Sequence, residues 1–242
     1  MKLSQILFSQ GFGTRRLCAG LIEAGEVSIG GAVVDDPHAD VPTEGLVFHV
    51  LGKPWPYHAS ALILLNKPAG YECSRKPKHH PSVLSLLPAP LRAREVQPIG
   101  RLDEDTTGLL LLTDDGALIH RLTSPKHHVP KVYEAGCKHP VTDEQLARLR
   151  SGVILDDDPL PVCAAAAERH GDAADGHTLS LTLTEGKYHQ VKRMIAAVGN
   201  RVETLHRSCF GNLVLHDDPR PGHWRWVGAD ERATLIGAPV IR

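Results

Sequence analysis

Three charged side chains, Arg101, Asp103 and Asp105, lie within five positions of each other in a segment rich in Gly, Pro and Thr. An ionised Asp that is shielded from water can act as a nucleophile, as a general base or as a metal ligand. Basic side chains nearby favour the ionised form of a carboxyl group. The residue types alone leave all three kinds of chemistry open.

The sequence around these residues predicts a polar loop followed by a buried strand. Pro98 and Gly100 interrupt regular structure, and the apolar run at 109–112 ends before the turn signal at Asp115. A loop that enters a buried strand can hold a charged side chain rigidly at the edge of a cleft. Asp105 is expected to cap this loop through its own backbone, as Asp often does before Gly.

Composition indicates a soluble globular protein whose 242 residues can bury a sizeable core. The 27 Lys and Arg residues are matched by 28 Asp and Glu residues, so any basic surface for nucleic acid must be local. The five cysteines form no Cys-x-x-Cys pair, which is typical of a reducing compartment. No apolar run is long enough to span a bilayer. We therefore expect a cytoplasmic protein with no membrane partner.

Residues 1–58 predict a compact module of two helices and a hairpin. Thr14 is a candidate N-cap of the second helix, and Gly30 with Gly31 indicates the hairpin turn. Residues 52–60 contain two prolines and predict a linker, which places a domain boundary near residue 58.

The start of the second helix, Thr14-Arg15-Arg16, and the glycines that follow it resemble the S4-type RNA-binding module. The resemblance implies that Arg15 and Arg16 face RNA. Residues 1–58 nevertheless carry four Lys or Arg against six Asp or Glu, a net charge of −2, so phosphate neutralisation alone cannot hold RNA there. Arg15 and Arg16 either supply most of the RNA contact or only solvate the helix N-terminus.

Strand signals outnumber helix signals in residues 59–242. Leu179, Leu181 and Leu183 alternate with polar residues, and Thr142 begins a predicted helix that stops at Gly152. The predicted fold class is α+β with a mainly antiparallel sheet.

A further amphipathic helix is predicted near residues 185–198. Tyr188 and Val191 share its apolar face, so Tyr188 is expected to pack in the core. His189 and Lys192 project together from a neighbouring face.

The stretch Gly100-Arg101-Leu102-Asp103, with the residues up to Thr113, resembles the catalytic motif of the RsuA-type pseudouridine synthases. The segments 66–71, 131–133 and 185–194 agree with that family in order and spacing. Together with the S4-like start, the resemblance covers nearly the whole chain. It implies an S4-like RNA-binding domain at 1–58, followed by a pseudouridine synthase catalytic domain at 59–242 whose mainly antiparallel sheet holds a central cleft.

The resemblance also implies a role for each site residue. Asp103 would be the essential carboxylate, although whether it attacks the base or the sugar, or removes a sugar proton, stays open. Tyr133 would stack on the uracil and help remove the C5 proton, and Lys192 would pair with Asp103. Arg101 would fill the gap left by the flipped nucleotide, while Lys67 and Lys131 would contact RNA.

The implied activity is isomerisation of uridine to pseudouridine in ribosomal RNA. Residues 71–74 and 188–194 favour the 16S RNA of the small subunit as target, and 23S RNA is the alternative. No cofactor is expected, because isomerisation needs no redox partner and the sequence contains no dinucleotide fingerprint, P-loop or zinc cluster. The expected partner is ribosomal RNA or a pre-30S particle, and the expected state is a monomer.

Two alternatives from other functional classes remain at this stage. Asp103, Asp105 and Thr107 also match the Asp-x-Asp-x-Thr pattern of Mg²⁺-dependent phosphatases that form an aspartyl-phosphate. Those enzymes require the apolar strand before the motif, whereas here it follows. The first 58 residues alone would also permit an RNA-binding protein without catalytic activity.

Overall fold

The computed structural model of the protein describes residues 1–156, 158–170 and 176–236. The chain divides into two compact units. The first consists of Met1–Ala61 and Leu87–Gln97, and the second of Leu62–Leu86 and Pro98–Arg242. None of the helices in the described residues is long and apolar enough to cross a membrane.

The first unit contains the predicted helix pair and hairpin. Its elements are α1 (Leu3–Ser9), α2 (Arg15–Glu23), β1 (Val27–Ile29), β2 (Ala32–Val33), β3 (Val47–Val50), β4 (Lys53–Pro56) and α3 (Ala89–Ala93). The strands form an antiparallel sheet in the order β2-β1-β3-β4. The hydroxyl of Thr14 accepts a hydrogen bond from the backbone N–H of Leu17, which confirms the predicted N-cap.

The prediction of a linker at residues 52–60 is partly wrong, because Lys53–Pro56 forms β4. Proline is tolerated there because β4 lies at the edge of the sheet and, among the described strands, pairs with β3. Trp55, between the two prolines, is buried, and its indole N–H donates to the side-chain oxygen of Gln10 at 3.4 Å. A proline-rich stretch that reads as a linker therefore contributes to the core of the first unit.

The second unit is built on one large sheet. Its strands are β5 (Leu62–Lys67), β6 (Gln97–Pro98, where the two units join along the chain), β7 (Thr107–Thr113), β8 (Lys131–Cys137), β9 (Val153–Leu155), β10 (Asp158–Val162), β11 (Ala166–Arg169), β12 (Thr178–Leu183), β13 (Val202–Phe210), β14 (Leu213–Val214) and β15 (Trp224–Trp226). Its helices are α4 (Gly116–Thr123), α5 (Asp143–Ser151), α6 (Gln190–Ala197) and α7 (Ala229–Ile236). The main path of the large sheet runs β11-β12-β8-β13-β7-β5-β15, with β14 paired to β13 and β6 to β7. Strands β9 and β10 form a separate two-stranded antiparallel sheet.

Pairing along this path is antiparallel except between β7 and β13 in the described part of the chain, so the prediction of a mainly antiparallel sheet is confirmed. The four leucines of β7 are fully buried, as the apolar run at 109–112 predicts. Thr142 caps α5 with a capping box.

Close packing at the parallel pair sets where the predicted loop enters the sheet. Gly108, which pairs with Arg207 in this contact, has a φ of 104°, a left-handed conformation that favours glycine. A Cβ at this position would collide with the backbone of Arg207 on β13. The absence of a side chain at Gly108 therefore allows β7 and β13 to meet just beyond the loop that carries Asp103.

Lys67, at the end of β5, fixes the position of the loop that carries Asp103. Its side chain is fully buried, and its ammonium donates to the carbonyl oxygens of Pro68 at 3.1 Å, Glu104 at 3.0 Å and Thr106 at 2.8 Å. Burial lowers the pKa of this amine. The expectation that Lys67 contacts the RNA backbone is wrong, because all three of its donors are used inside the protein.

Replacing Lys67 with Met should therefore reduce stability rather than RNA affinity. Lys67→Met keeps a long, unbranched side chain but removes the ammonium from which the carbonyl oxygens of Pro68, Glu104 and Thr106 accept. The carbonyl of Glu104 keeps a second donor, the backbone N–H of Gly70. We therefore expect the free energy of unfolding to fall by about 2 to 4 kcal/mol. Urea denaturation measures this change. The matched control is Lys78→Met in an exposed loop, which should change stability by less than about 0.5 kcal/mol. An unchanged stability together with a shallower salt dependence of RNA binding would restore the phosphate-contact interpretation.

Candidate active site

The loop before β7, the strands β8 and β13 and the start of α6 enclose a cavity of about 400 Å³ in the second unit. Five residues predicted from the sequence line it: Arg101, Asp103, Lys131, Tyr133 and Lys192. The lining also includes His189 and Arg207. The structure thus gathers the predicted catalytic residues at one place, although they span about 90 positions of the chain.

Lys192 lies between two carboxylates. Its ammonium is 3.3 Å from Oδ2 of Asp103 and 2.7 and 2.8 Å from the two carboxylate oxygens of Asp105. The side chain of Asp103 is 26% exposed and that of Asp105 60%, so Asp103 is the carboxylate more shielded from water. Asp105, which was expected only to cap the loop, is in fact the closer partner of Lys192.

Ionisation within this cluster is mutually reinforcing. Partial burial alone would raise the pKa of the Asp105 carboxyl, but the hydrogen bond and charge of Lys192 outweigh it, so this pKa lies below its usual value. Burial would likewise lower the pKa of Lys192, but Asp105 and Asp103 raise it. Lys192 therefore stays protonated at neutral pH and favours the ionised form of Asp105.

His189 contacts the other carboxylate oxygen of Asp103. Its Nε2 is 3.4 Å from Oδ1 of Asp103, and its backbone adopts a left-handed conformation immediately before α6. His189 and Lys192 thus converge on the same carboxylate, as their predicted shared projection suggests. The expectation that Tyr188 packs in the core is wrong: α6 begins only at Gln190, and the Tyr188 ring is 75% exposed and stacks on the His189 ring at 3.8 Å.

Tyr133 and Arg207 form the opposite wall of the cavity. They face each other across the antiparallel pair β8 and β13, with Cζ of Arg207 6.0 Å from the centre of the Tyr133 ring. Arg207 is buried, and its Nε donates to the carbonyl oxygen of Leu109 at 2.8 Å. The sequence contained no signal for this residue, because an isolated Arg in an alternating strand normally faces solvent.

Lys131 lies two residues before Tyr133 on the same strand. Its ammonium donates to the carbonyl oxygen of Val129 at 2.8 Å and lies 5.5 Å from the centre of the Phe210 ring. Burial, together with the nearby positive charge of Arg207, lowers the pKa of Lys131 to about 8. Lys131 is therefore partly enclosed in the wall of the cavity.

The remaining predicted RNA-binding residues are exposed. Arg101 lies at the cavity beside Asp103. Arg15 and Arg16 belong to the first unit, at the start of α2, where the Arg15 guanidinium lies 5.0 Å from the centre of the Phe8 ring. Both therefore present positive charge at the surface of that unit.

The cavity combines the groups that a reaction on a flat, neutral ring requires. A shielded carboxylate is held beside a lysine and a histidine, and an aromatic side chain lines the same space. Among the residues that the structure describes, no group of three or more His, Cys, Asp or Glu side chains is placed to hold a metal ion. The arrangement suits nucleophilic or general base chemistry by Asp103 on a ring that stacks on Tyr133.

Comparison with known proteins covers the whole chain. The model of the RNA pseudouridylate synthase family matches residues 61–197, and that of the S4 domain matches residues 1–47. The "Ribosomal small subunit pseudouridine synthase A" of Yersinia pestis is 40% identical over 100% of both chains, and the protein of the same name from Escherichia coli is 37% identical over 98% of this chain and 100% of its own.

A relative from Bacillus subtilis, named only as an uncharacterised RNA pseudouridine synthase, is 38% identical over 99% of both chains. A crystal structure described as a pseudouridylate synthase superposes with a TM-score of 0.68 at 34% identity, covering 98% of this chain and 100% of the other. Asp103, Tyr133 and Lys192 lie within the stretch that the family model matches, whereas Arg207 on the wall of the same cavity lies beyond it. The chain therefore belongs to the RNA pseudouridylate synthase family and carries an S4 domain at its N-terminus.

Proposed function

We propose that this protein isomerises uridine to pseudouridine in the RNA of the small ribosomal subunit, with Asp103 acting on the target nucleotide. The observation that carries the proposal is the position of Asp103, held between Lys192 and His189 in a cavity that also contains Tyr133. Membership of the pseudouridylate synthase family favours this activity over the phosphatase and over a non-catalytic RNA-binding protein.

Each proposed role agrees with the geometry. The Tyr133 ring lines the cavity, where stacking of a flipped uracil would contribute about 1 to 3 kcal/mol. Its hydroxyl is the group that we propose helps remove the C5 proton. Arg101 is exposed at the same cavity, where its side chain can enter the gap that the flipped nucleotide leaves in the RNA. Lys192 orients the carboxylate of Asp103 through its contact at 3.3 Å.

The small-subunit target rests on the relatives. The Yersinia and Escherichia proteins, which align over essentially their full length, are named for the small ribosomal subunit. Free 16S RNA and a pre-30S particle both contain that RNA, and a ribosomal RNA substrate implies a cytoplasmic enzyme. We propose that the enzyme is a monomer and that it binds its substrate RNA before the small subunit is fully assembled.

The S4 domain is proposed to position the RNA rather than to supply most of the affinity. The boundary between the two functional domains is proposed to lie near residue 58, and Arg15 and Arg16 are the proposed RNA contacts of the S4 domain. A net charge of −2 over residues 1–58 gives weak non-specific attraction to phosphates. Such a domain favours a substrate whose shape is already formed, which supports the pre-30S particle as partner.

Asp103→Asn should abolish isomerisation. The substitution keeps the size of the side chain but removes the charge and replaces one acceptor oxygen by an amide donor, so we expect kcat to fall by at least about 1,000-fold. Tritium release from RNA labelled at C5 of uridine measures the activity. Asp105→Asn is the matched control: it also removes one carboxylate from Lys192, but it should retain measurable turnover. RNA affinity and thermal unfolding should change little in Asp103→Asn, and full activity of this variant would contradict the assignment.

Lys192→Met should lower kcat by about 10- to 100-fold at neutral pH, because Asp103 loses the ammonium that lies 3.3 Å from its Oδ2. The same change removes the hydrogen bond and the charge that lower the pKa of the Asp105 carboxyl, so that pKa should rise toward its usual value, which NMR titration measures. Lys192→Arg keeps the charge and should restore most of the rate and the lowered pKa of Asp105. An unchanged kcat in Lys192→Met would show that the cation does not act on the reacting carboxylate.

The target is tested by mapping pseudouridine in a strain that lacks the gene. We expect one site in small-subunit RNA to revert to uridine, and the wild-type gene but not Asp103→Asn to restore it. Purified protein offered free 16S RNA, free 23S RNA and a pre-30S particle in parallel then identifies the preferred substrate. Loss of a site in 23S RNA instead would keep the activity and overturn the small-subunit assignment.

A further inference from the structure

The guanidinium of Arg207 carries a buried positive charge without a carboxylate partner. Its side chain is 2% exposed, and its Nη2 is buried with no hydrogen-bond partner among the described residues. None of the ion pairs in the described part of the chain includes Arg207; its one strong acceptor is the carbonyl oxygen of Leu109. Burying a charge without a counter-ion is unfavourable, so this arrangement lowers stability unless an anion comes near.

Lys131 adds a second positive charge on the same side of the cavity. Cζ of Arg207 and Nζ of Lys131 lie 5.3 and 5.5 Å from the centre of the same Phe210 ring. The lowered pKa of Lys131 has burial as its first cause and repulsion from Arg207 as its second. We call Arg207 and Lys131 the cationic floor.

The two cations of the cationic floor differ from Lys67 and Lys192, the other enclosed cations of this unit, in the partners that they have. Lys192 is neutralised by Asp103 and Asp105, and the three donors of Lys67 meet three carbonyl oxygens. Arg207 and Lys131 have no carboxylate at ion-pair distance among the described residues, and Glu185, which also lines the cavity, acts on Lys131 only as a more distant charge. A net positive potential therefore remains beside Tyr133. In a site of low dielectric constant, such a potential acts strongly on any charge that forms nearby.

We propose that the cationic floor stabilises the negative charge that develops on the uracil ring during isomerisation, an inference that rests on the proposed function. When the bond between N1 and C1′ breaks, its electron pair goes to N1, and the charge spreads over the ring and its carbonyl oxygens. C5 then donates an electron pair to C1′ and loses its proton, while N1 gains a proton. Atoms and electrons balance without a further reactant.

The charge develops on the ring in each of the three routes that Asp103 leaves open. Attack on the sugar and removal of a sugar proton both release the base as an anion, and attack on the base places the charge on a ring oxygen. Bound uridine is neutral before the reaction. The cationic floor therefore stabilises the transition state more than the bound substrate and should act on kcat rather than on KM.

The first test compares Arg207→Met with Arg207→Lys. Met fills much of the same space without a charge, so we expect kcat to fall by about 100-fold while the Kd for RNA changes by less than about threefold. Lys retains the charge and should recover at least about a tenth of the wild-type rate. A variant that loses RNA affinity instead of kcat would assign Arg207 to binding and overturn the proposal.

A second measurement separates electrostatic stabilisation from a structural role. RNA with 5-fluorouridine at the target position provides a ring whose anion is less basic and therefore depends less on stabilisation by nearby positive charge. Consumption of that nucleotide reports cleavage of the bond to N1. The rate deficit of Arg207→Met should be several times smaller with this RNA than with uridine. Equal deficits for both RNAs would show that Arg207 only maintains the fold.

Two further variants complete the test. Arg225→Met removes an arginine that pairs with Glu231 outside the cavity. This control variant should convert each of the two RNAs at the wild-type rate. If Arg207→Met does not fold, Lys131→Met provides the same comparison, with the same dependence on the leaving group expected. Wild-type rates in Arg207→Met overturn this inference alone, whereas a wild-type protein that converts no uridine overturns the proposed function as well.

Discussion

The contact of Lys192 with Asp103 and Asp105 is the interaction on which the site depends. Two carboxylates only two residues apart share one ammonium, which lies 3.3 Å from Asp103 and 2.7 Å from Asp105 and offsets the repulsion between their charges. The contact also connects the loop before β7 to the start of α6, which lie far apart in the chain. The orientation of Asp103 is thus determined by a residue that belongs to another element.

This contact requires a loop that does not move. The loop from Asp103 to Thr106 is short and polar, and on its own it would sample many conformations. Lys67 removes that freedom by binding carbonyl oxygens on both sides of Asp105, and Gly108 lets the following strand pack directly against β13. Lys67 and Gly108 therefore hold the catalytic loop in place although neither residue lines the cavity.

The enclosed cations of the second unit divide into two kinds. Lys67 and Lys192 have their donors satisfied by carbonyl or carboxylate oxygens, so their positive charges are spent on the fold and on the orientation of Asp103. Arg207 and Lys131 have one carbonyl partner each and no carboxylate at ion-pair distance among the described residues. Satisfied donors make a structure rigid, whereas unsatisfied ones create a potential that a reacting group can use.

Local patterns predicted much of the architecture because they arise from neighbours in the chain. The apolar run of β7, the alternating leucines of β12 and the caps at Thr14 and Thr142 follow from periodicity and backbone hydrogen bonding alone. The errors arose where tertiary contacts override local preference. Prolines that suggest a linker are accommodated on the edge strand β4, and Tyr188 is exposed because its helix starts later than its apolar spacing implies.

The sequence by itself determined the order of the segments and the family resemblance. It also identified Asp103, Tyr133 and Lys192 as the candidate catalytic residues. Only the tertiary structure decided that Asp105 shares Lys192, that Lys67 points inward and that Arg207 lies buried beside Tyr133. These are matters of burial and of which groups meet across the sheet. A charged residue has the same letter whether it is solvated or enclosed, and only the packing of distant segments determines which of the two it is.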